Sequence, residues 1–210
     1  MMLTQEKAIG LLKKYKMKTP RTLLFKQTEI KKIKINFPVA LKVDSSEIIH
    51  KSDLGLVFTN IKTIHELNRH MKTISIVLKM HNIKKYNYVV QEMIKGQEII
   101  MGIKRDNIFG PVILFGLGGV LVEILKDVSM RVAPLSKRDC NEMIDEIKGS
   151  KLLGGYRNIK KVNKEEIIDL LMKLSDLAIK EKQIEEIDFN PVIVNERAAI
   201  VVDARIIMKV

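Results

Sequence analysis

The sequence predicts an α+β chain of two lobes, and three observations carry that expectation. Short apolar strands alternate with capped amphipathic helices through residue 94, the texture turns β-rich from Gly96, and a long helix and a hairpin close the chain. The lobes are therefore drawn as residues 1–94 and 95–210, sharing a cleft. With 210 residues and 46% hydrophobic content, the chain has enough apolar side chain to give each lobe a core.

Thr4 caps a first helix with Ala8, Ile9, Leu11, Leu12 and Tyr15 on one side. Arg21–Phe25 is a short strand. Val39–Val43 is a clearer one, with Val39, Leu41 and Val43 on one face and Lys42 on the other. A polar loop, Asp44 to Gly55, leads to a strand at Leu56–Ile61. Thr63 and Glu66 form a capping box before a helix with Ile64, Leu67, Met71 and Ile74 at helical spacing. Tyr88–Met93 completes the first lobe. In the second, strands are expected at Glu98–Ile103, Pro111–Phe115, Val120–Leu125 and Met130–Pro134, with a Gly116-Leu117-Gly118-Gly119 bend among them. Ser136 caps a short helix ending near Gly149, and Leu152–Arg157 reads as loop. Asn163 with Glu166 caps a long helix buried through Ile167, Leu170, Leu171, Leu174, Leu177 and Ala178.

Composition narrows the function classes. No run approaches the ~18 apolar residues of a membrane span, and MMLTQEKAIG lacks the basic and apolar regions of a secretory signal. A single cysteine, Cys140, excludes an internal disulfide and fits a reducing compartment, so a cytoplasmic location is expected. The net charge of +12 suits a polyanionic ligand. The lysines are dispersed and aromatics are only 5% of residues, which disfavours a nucleic-acid surface.

The chemistry concentrates at the C-terminal end. Val192-Ile193-Val194 and Ile200-Val201-Val202 read as strands around a turn at Asn195–Ala198, which sets Asn190 opposite Asp203. Asp188, two residues before Asn190, points to the same face. Two carboxylates and an amide carbonyl then converge as hard oxygen donors suited to Mg²⁺ and a nucleotide's phosphates. The competing reading makes Asp188 and Asn190 turn formers before Pro191 and Asp203 a strand-end acid. Lys42, inside an apolar strand, faces either a phosphate in a cleft or, on an edge strand, water. The loop Ser45–Gly55 holds Lys51, Ser52, Gly55 and His50, groups that bind or transfer phosphate; neutral imidazole is a competent nucleophile. The glycine bend lacks the Lys-Ser/Thr of a P-loop and is also explained as a tight strand connection. Glu123, Asp127 and Arg131 after it suggest a lined cleft.

Four segments in order, VALKVDSSEIIHKSDLGLV, VVQEMIKGQEIIMGIKRDNIFGPVILFGLGGVLVEILKDVSMRVAPL, LLGGYR and EIDFNPVIV with Asp203, resemble the ATP-grasp subunit of ADP-forming acetyl-CoA (acyl-CoA) synthetases over nearly the entire chain. The resemblance implies an ATP-grasp fold, two α+β lobes with the nucleotide cleft between them. It implies that Lys42 contacts ATP phosphates and Gly55 belongs to the loop over them. Gln91–Ile94 would be the hinge beside adenine, with Glu92 and Glu98 toward the nucleoside. Asn190 and Asp203 would bind Mg²⁺ with Asp188 nearby, and His50 would be a phosphohistidine relaying phosphate to ADP. Leu56 and Asn158 stand where the family usually has glycine.

That family catalyses acyl-CoA + ADP + phosphate = acid + CoA + ATP. The chain has no G-x-G-x-x-G between a strand and a helix, so a CoA-binding α subunit is the expected partner in a hetero-oligomer. Two rivals stand beside this: a stand-alone ATP-grasp ligase making an acyl-phosphate, which does not need His50, and a basic nucleic-acid-binding module.

Overall fold

In the computed structural model, which describes residues 1–26, 34–45, 55–119 and 127–209, the chain divides into two units with separate cores. The smaller comprises Thr4–Glu6 and Pro20–Ile94. Its antiparallel sheet runs β1 (Thr22–Phe25), β4 (Asn87–Glu92), β2 (Val39–Asp44), β3 (Phe58–Ile61). Alternation in β2 sends Val39, Leu41 and Val43 into a core with Leu67, Met71, Ile74 and Leu78 of a helix over Ile64–Met80. Each such aliphatic side chain contributes about 1.5–3 kcal/mol on burial. Thr63 caps that helix by accepting the Glu66 N–H at 3.1 Å. The Tyr88 hydroxyl donates to the Met71 carbonyl at 3.1 Å, and burial pushes its pKa up to about 12.

Two readings of this unit change. Because β2 lies between β4 and β3, Lys42 is not on an edge strand and is half-buried. Leu56, standing where the resembled family has glycine, is fully buried in the core, so its side chain is used for packing.

The larger unit comprises residues 1–3, 7–19 and 95–210. Its sheet runs β10 (Ala204–Met208), β8 (Ile184–Val194), β5 (Gln97–Asp106), β6 (Gly110–Leu117), β7 (Val128–Val132), with β9 (Ala199–Val201) also paired to β8. Met101, Ile103, Ile113, Phe115, Ile187 and Phe189 share a core with Ile167, Leu171, Leu174 and Leu177 of the Lys164–Lys180 helix. Cys140, Met143 and Ile144 of the Lys137–Glu146 helix join it; burial pushes the Cys140 thiol up to about 11 and leaves it inert. We number the helices α1 (Gln5–Lys14), α2 (Ile64–Met80), α3 (Lys137–Glu146), α4 (Ser150–Leu153) and α5 (Lys164–Lys180).

The change of unit falls between Ile94 and Lys95, but most of α1 does not follow the 1–94 division: Ala8 and Leu12 are buried in the larger unit's core. Helical spacing shows which face is apolar, not which core receives it. The strand expected at Val120–Leu125 lies outside the described residues. Ser150–Leu153 is a helical turn that overlaps the expected loop, and β10 is a strand the sequence reading stopped short of. Asp127 and Arg131, expected to line a cleft, are both held by partners within the unit, and Glu123 lies outside the described residues. Asp127 accepts the Lys148 and Gly149 N–H groups, each at 2.8 Å, and Arg131 pairs with Glu146 of α3 at 2.6 Å. Among the described residues no helix is long and apolar enough to cross a membrane.

Glu181, after α5, ties α1 to this core. It accepts from Lys14 Nζ at 2.5 Å, the Tyr15 hydroxyl at 2.9 Å and Gln183 at 2.6 Å, and the Lys14 bond leads in holding its carboxyl below the ordinary range. A pKa depressed by folding adds stability above the unfolded value, about 4.3, and that stability disappears as pH falls through the folded value. Glu181→Gln is expected to lower unfolding stability by about 1–3 kcal/mol at pH 7 and to flatten the acid limb of the stability curve. Urea titrations from pH 7 to pH 3 measure both.

Candidate functional site

Strand β8 carries two of the metal candidates, Asp188 and Asn190, through the middle of a sheet. Val192, Ile193 and Val194 pair with Val201, Ile200 and Ala199, while Phe189 and Asp188 pair with Ala204 and Arg205. The register is the same on both sides of the break between β9 and β10, which sets Asn190 opposite Asp203 as the turn-centred reading expects. The break has a cause: Pro191 offers no N–H, and its carbonyl accepts from both Val202 at 3.1 Å and Asp203 at 3.4 Å. Asp203 Oδ1 in turn accepts the Ala204 N–H at 3.0 Å.

Asp188 lies two residues before Asn190 and shares its face, while Ile187 and Phe189 are buried on the other. Burial raises the Asp188 carboxyl above the ordinary range; Glu186 and Asp203 add to the rise and Arg205 opposes it. A bound cation would relieve the negative charge that adds to the rise. On the β5 side Asp188 faces Gly102, where a Cβ would stand 2.8 Å from the Ile187 carbonyl oxygen, so no side chain crowds the carboxylate from there. Among the described residues no group of three or more His, Cys, Asp or Glu could hold a metal. Two carboxylates and one amide instead fit a hard cation that completes its shell with water and phosphate oxygens, as Mg²⁺ does. Sequence reasoning passed over Arg205 and Gly102. Arg205 follows Asp203 by two residues, so the spacing rule that linked Asp188 to Asn190 would have found it.

Glu98, at the start of β5, is exposed, and the glycine bend is built around it. The Gly118 N–H donates to the Glu98 carbonyl at 2.7 Å, and a Cβ on Gly118 would lie 2.8 Å from the Glu98 carbonyl carbon. The bend thus packs its backbone directly against the start of β5. A cavity of about 780 Å³ opens beside Glu98, walled by Lys95, Leu117, Asn158, Lys160 and Arg197. Gln97 Nε2 holds one wall in place by donating to the Leu152 and Lys160 carbonyls at 3.0 and 2.8 Å. Asn158, the second replaced glycine, is exposed on that wall. Gly118→Ala is expected to cost about 1–3 kcal/mol of stability through backbone overpacking, read as a lowered urea midpoint.

In the smaller unit, Lys42 stands opposite Val89 on the face away from α2. Gly55 adopts φ +64° with open space around it, so glycine is there for its backbone. The Glu92 carboxylate accepts from the Asn36 backbone and side-chain amides at 3.4 and 3.2 Å, and Ile94 is half-buried. His50 lies outside the described residues.

A family model described as ATP-grasp domain matches residues 1–208. The beta subunit of an ADP-forming acetate–CoA ligase I from Pyrococcus furiosus is 45% identical over 83% of this chain and 76% of its own length. An ADP-forming acetate–CoA ligase II from Archaeoglobus fulgidus is 42% identical over 99% of this chain, which spans only 30% of that protein. Among solved structures, an acetyl-coenzyme A synthetase 1 of Candidatus Korarchaeum cryptofilum in complex with coenzyme A and Ca-AMPCP superposes with a TM-score of 0.92 at 38% identity, covering 99% of this chain and 93% of that one. The same synthetase with Mg-AMPPCP is described with its phosphohistidine segment pointing towards the nucleotide-binding site; it gives a TM-score of 0.85 at 37% identity, with 99% and 93% covered.

Proposed function

The chain belongs to the ATP-grasp domain family, and from that premise we propose that it is the nucleotide-binding part of a reversible ADP-forming acyl-CoA synthetase. The overall reaction is acyl-CoA + ADP + phosphate = acid + CoA + ATP. The observation that carries the proposal is the register that sets Asn190 opposite Asp203 with Asp188 on the same face. The relatives quoted above support the reaction class.

In this reading Asp203 and Asn190 hold Mg²⁺, with Asp188 beside them and Arg205 offsetting their combined negative charge. When bound, the metal would supply charge neutralisation to phosphate oxygens. Lys42 contributes a second positive charge to the phosphates. Gly55 serves the phosphates as a loop residue, and the Glu92–Ile94 segment and Glu98 contact the nucleoside. In-line phosphoryl transfer depends on such positioning and charge neutralisation. His50 accepts the phosphoryl group from a histidine of a CoA-binding α subunit and passes it to ADP: its imidazole nitrogen forms the N–P bond, and an ADP terminal oxygen then displaces it. The site of action is the cytoplasm.

The test is to titrate the purified chain with Mg-ATP calorimetrically. The chain is then incubated with γ-labelled ATP and Mg²⁺, with and without the CoA-binding subunit. Saturable Mg-dependent binding and acid-labile, base-stable protein phosphate are expected, with acyl-CoA formed only when both polypeptides are present. Acyl-CoA synthesis by this chain alone would overturn the division of labour. Acyl-phosphate formation without protein phosphorylation would favour the stand-alone ligase.

A further inference from the structure

Arg105, Arg131 and Arg205 all stand on strands of the larger unit's sheet, and the first two are committed to holding it together. Arg105 on β5 donates to the Ile184, Ala178 and Glu181 carbonyls at 2.6, 2.6 and 3.1 Å, closing the end of α5. Arg131 on β7 forks onto Glu146, its terminal nitrogens donating to the two carboxylate oxygens at 2.9 and 2.6 Å. Arg205 on β10 differs from both. Its neighbours Ala204 and Ile206 pack on the core, so Arg205 lies on the opposite face, which is the face of Asp188, and it is exposed. The register sets it directly across from Asp188, where opposed side chains are neighbours. Among the described residues it nevertheless forms no ion pair within 4.0 Å. Its charge opposes the rise in the Asp188 pKa, yet burial keeps that carboxyl above the ordinary range. The guanidinium is thus felt at Asp188 without being bound there.

Resting on the functional reading above, we propose that Arg205 binds the terminal phosphoryl group of ATP, beyond balancing the charge of the acids beside it. The order of residues along β8 says which phosphate it meets. Glu98, the nucleoside contact in that reading, pairs with Ile193. The metal pair follows at Asn190 and Asp203, and Arg205 stands beyond it, opposite Asp188. From Ile193 to Asp188 is five strand rises, roughly 17 Å, an extent that suits base, ribose and phosphates laid in a row. The phosphate farthest from the nucleoside then falls at the Arg205 end. A guanidinium is matched to it: the group stays charged, and its planar fork of N–H donors meets two phosphoryl oxygens at once. No side chain competes from the far side of Asp188, where the register places Gly102.

The test is calorimetric titration of the full chain with Mg-ATP and, separately, with Mg-ADP. Arg205→Gln is expected to weaken Mg-ATP binding about tenfold or more, as the loss of hydrogen bonds to a charged group predicts, while Mg-ADP stays within about twofold. Arg205→Lys keeps the charge without the fork and is expected to recover only part of the difference. Lys104→Gln removes an exposed cation from the same face, opposite Glu186, and is expected to leave the ATP-to-ADP affinity ratio unchanged. Thermal midpoints are measured alongside, and if Arg205→Gln does not fold, Arg205→Lys carries the same comparison. Equal losses for the two nucleotides, or no loss for either, overturn the contact and leave the functional reading intact. So does a selective loss in Lys104→Gln as large as that in Arg205→Gln, which makes the general charge of the face the cause. Failure of the unmodified chain to bind Mg-ATP would overturn the functional reading, and this proposal with it.

Discussion

Asp203→Asn is expected to reduce Mg-dependent nucleotide turnover by more than about 100-fold, beyond the 10–100-fold typical of residues that only support a metal ligand. The substitution isolates charge. An asparagine at this position keeps an Oδ1 to accept the Ala204 N–H, now at 3.0 Å, so the link between β9 and β10 survives. The half-buried side chain is not part of the core, and the thermal midpoint should move little. What disappears is the charge of one of the two candidate carboxylates. Asp188 should then titrate closer to an ordinary carboxylate, since the Asp203 charge helps to raise it. Turnover against Mg²⁺ concentration, at saturating nucleotide and with the partner present, measures the effect. A wild-type Mg²⁺ dependence in the variant would remove Asp203 from the metal site.

His50→Ala is expected to abolish ATP formation from acyl-CoA, ADP and phosphate in the assembled enzyme, while Mg-ATP binding to the chain stays within about twofold. The asymmetry follows from covalent catalysis: a relay that passes through an N–P bond has no substitute when the nitrogen is gone. In the proposed site, binding instead rests on Lys42, the Glu92–Ile94 segment and the metal donors. Quench-flow with labelled phosphate and calorimetry on the same preparation separate the two quantities. ATP synthesis near the wild-type rate would make His50 a bystander and turn attention to a ligase that forms an acyl-phosphate directly.

Much of this was legible in the chain because it depends on short-range periodicity. Strand β2 follows from alternation at Val39, Leu41 and Val43, helix α2 from the Thr63–Glu66 cap and its i, i+3, i+4 stripe, and the Asn190–Asp203 register from counting outward from one turn. Local rules reach as far as one element and its immediate hairpin partner. They could not say that β2 is interior and Lys42 half-buried, because strand order is set by which strands pair across the sheet.

By itself, the sequence determined the strands and helices, the hairpin register that gathers Asp188, Asn190 and Asp203, and the family resemblance that gives those residues meaning. Only the tertiary structure decided where α1 is buried, what core Leu56 joins, which partners hold Asp127 and Arg131, and that Gly102 and Arg205 flank Asp188. The physical reason is the same in each case. Periodicity within an element fixes which side chains share a face. What that face meets is chosen by packing between segments far apart in the chain, where apolar area, charge and the space left by a missing Cβ are matched in three dimensions.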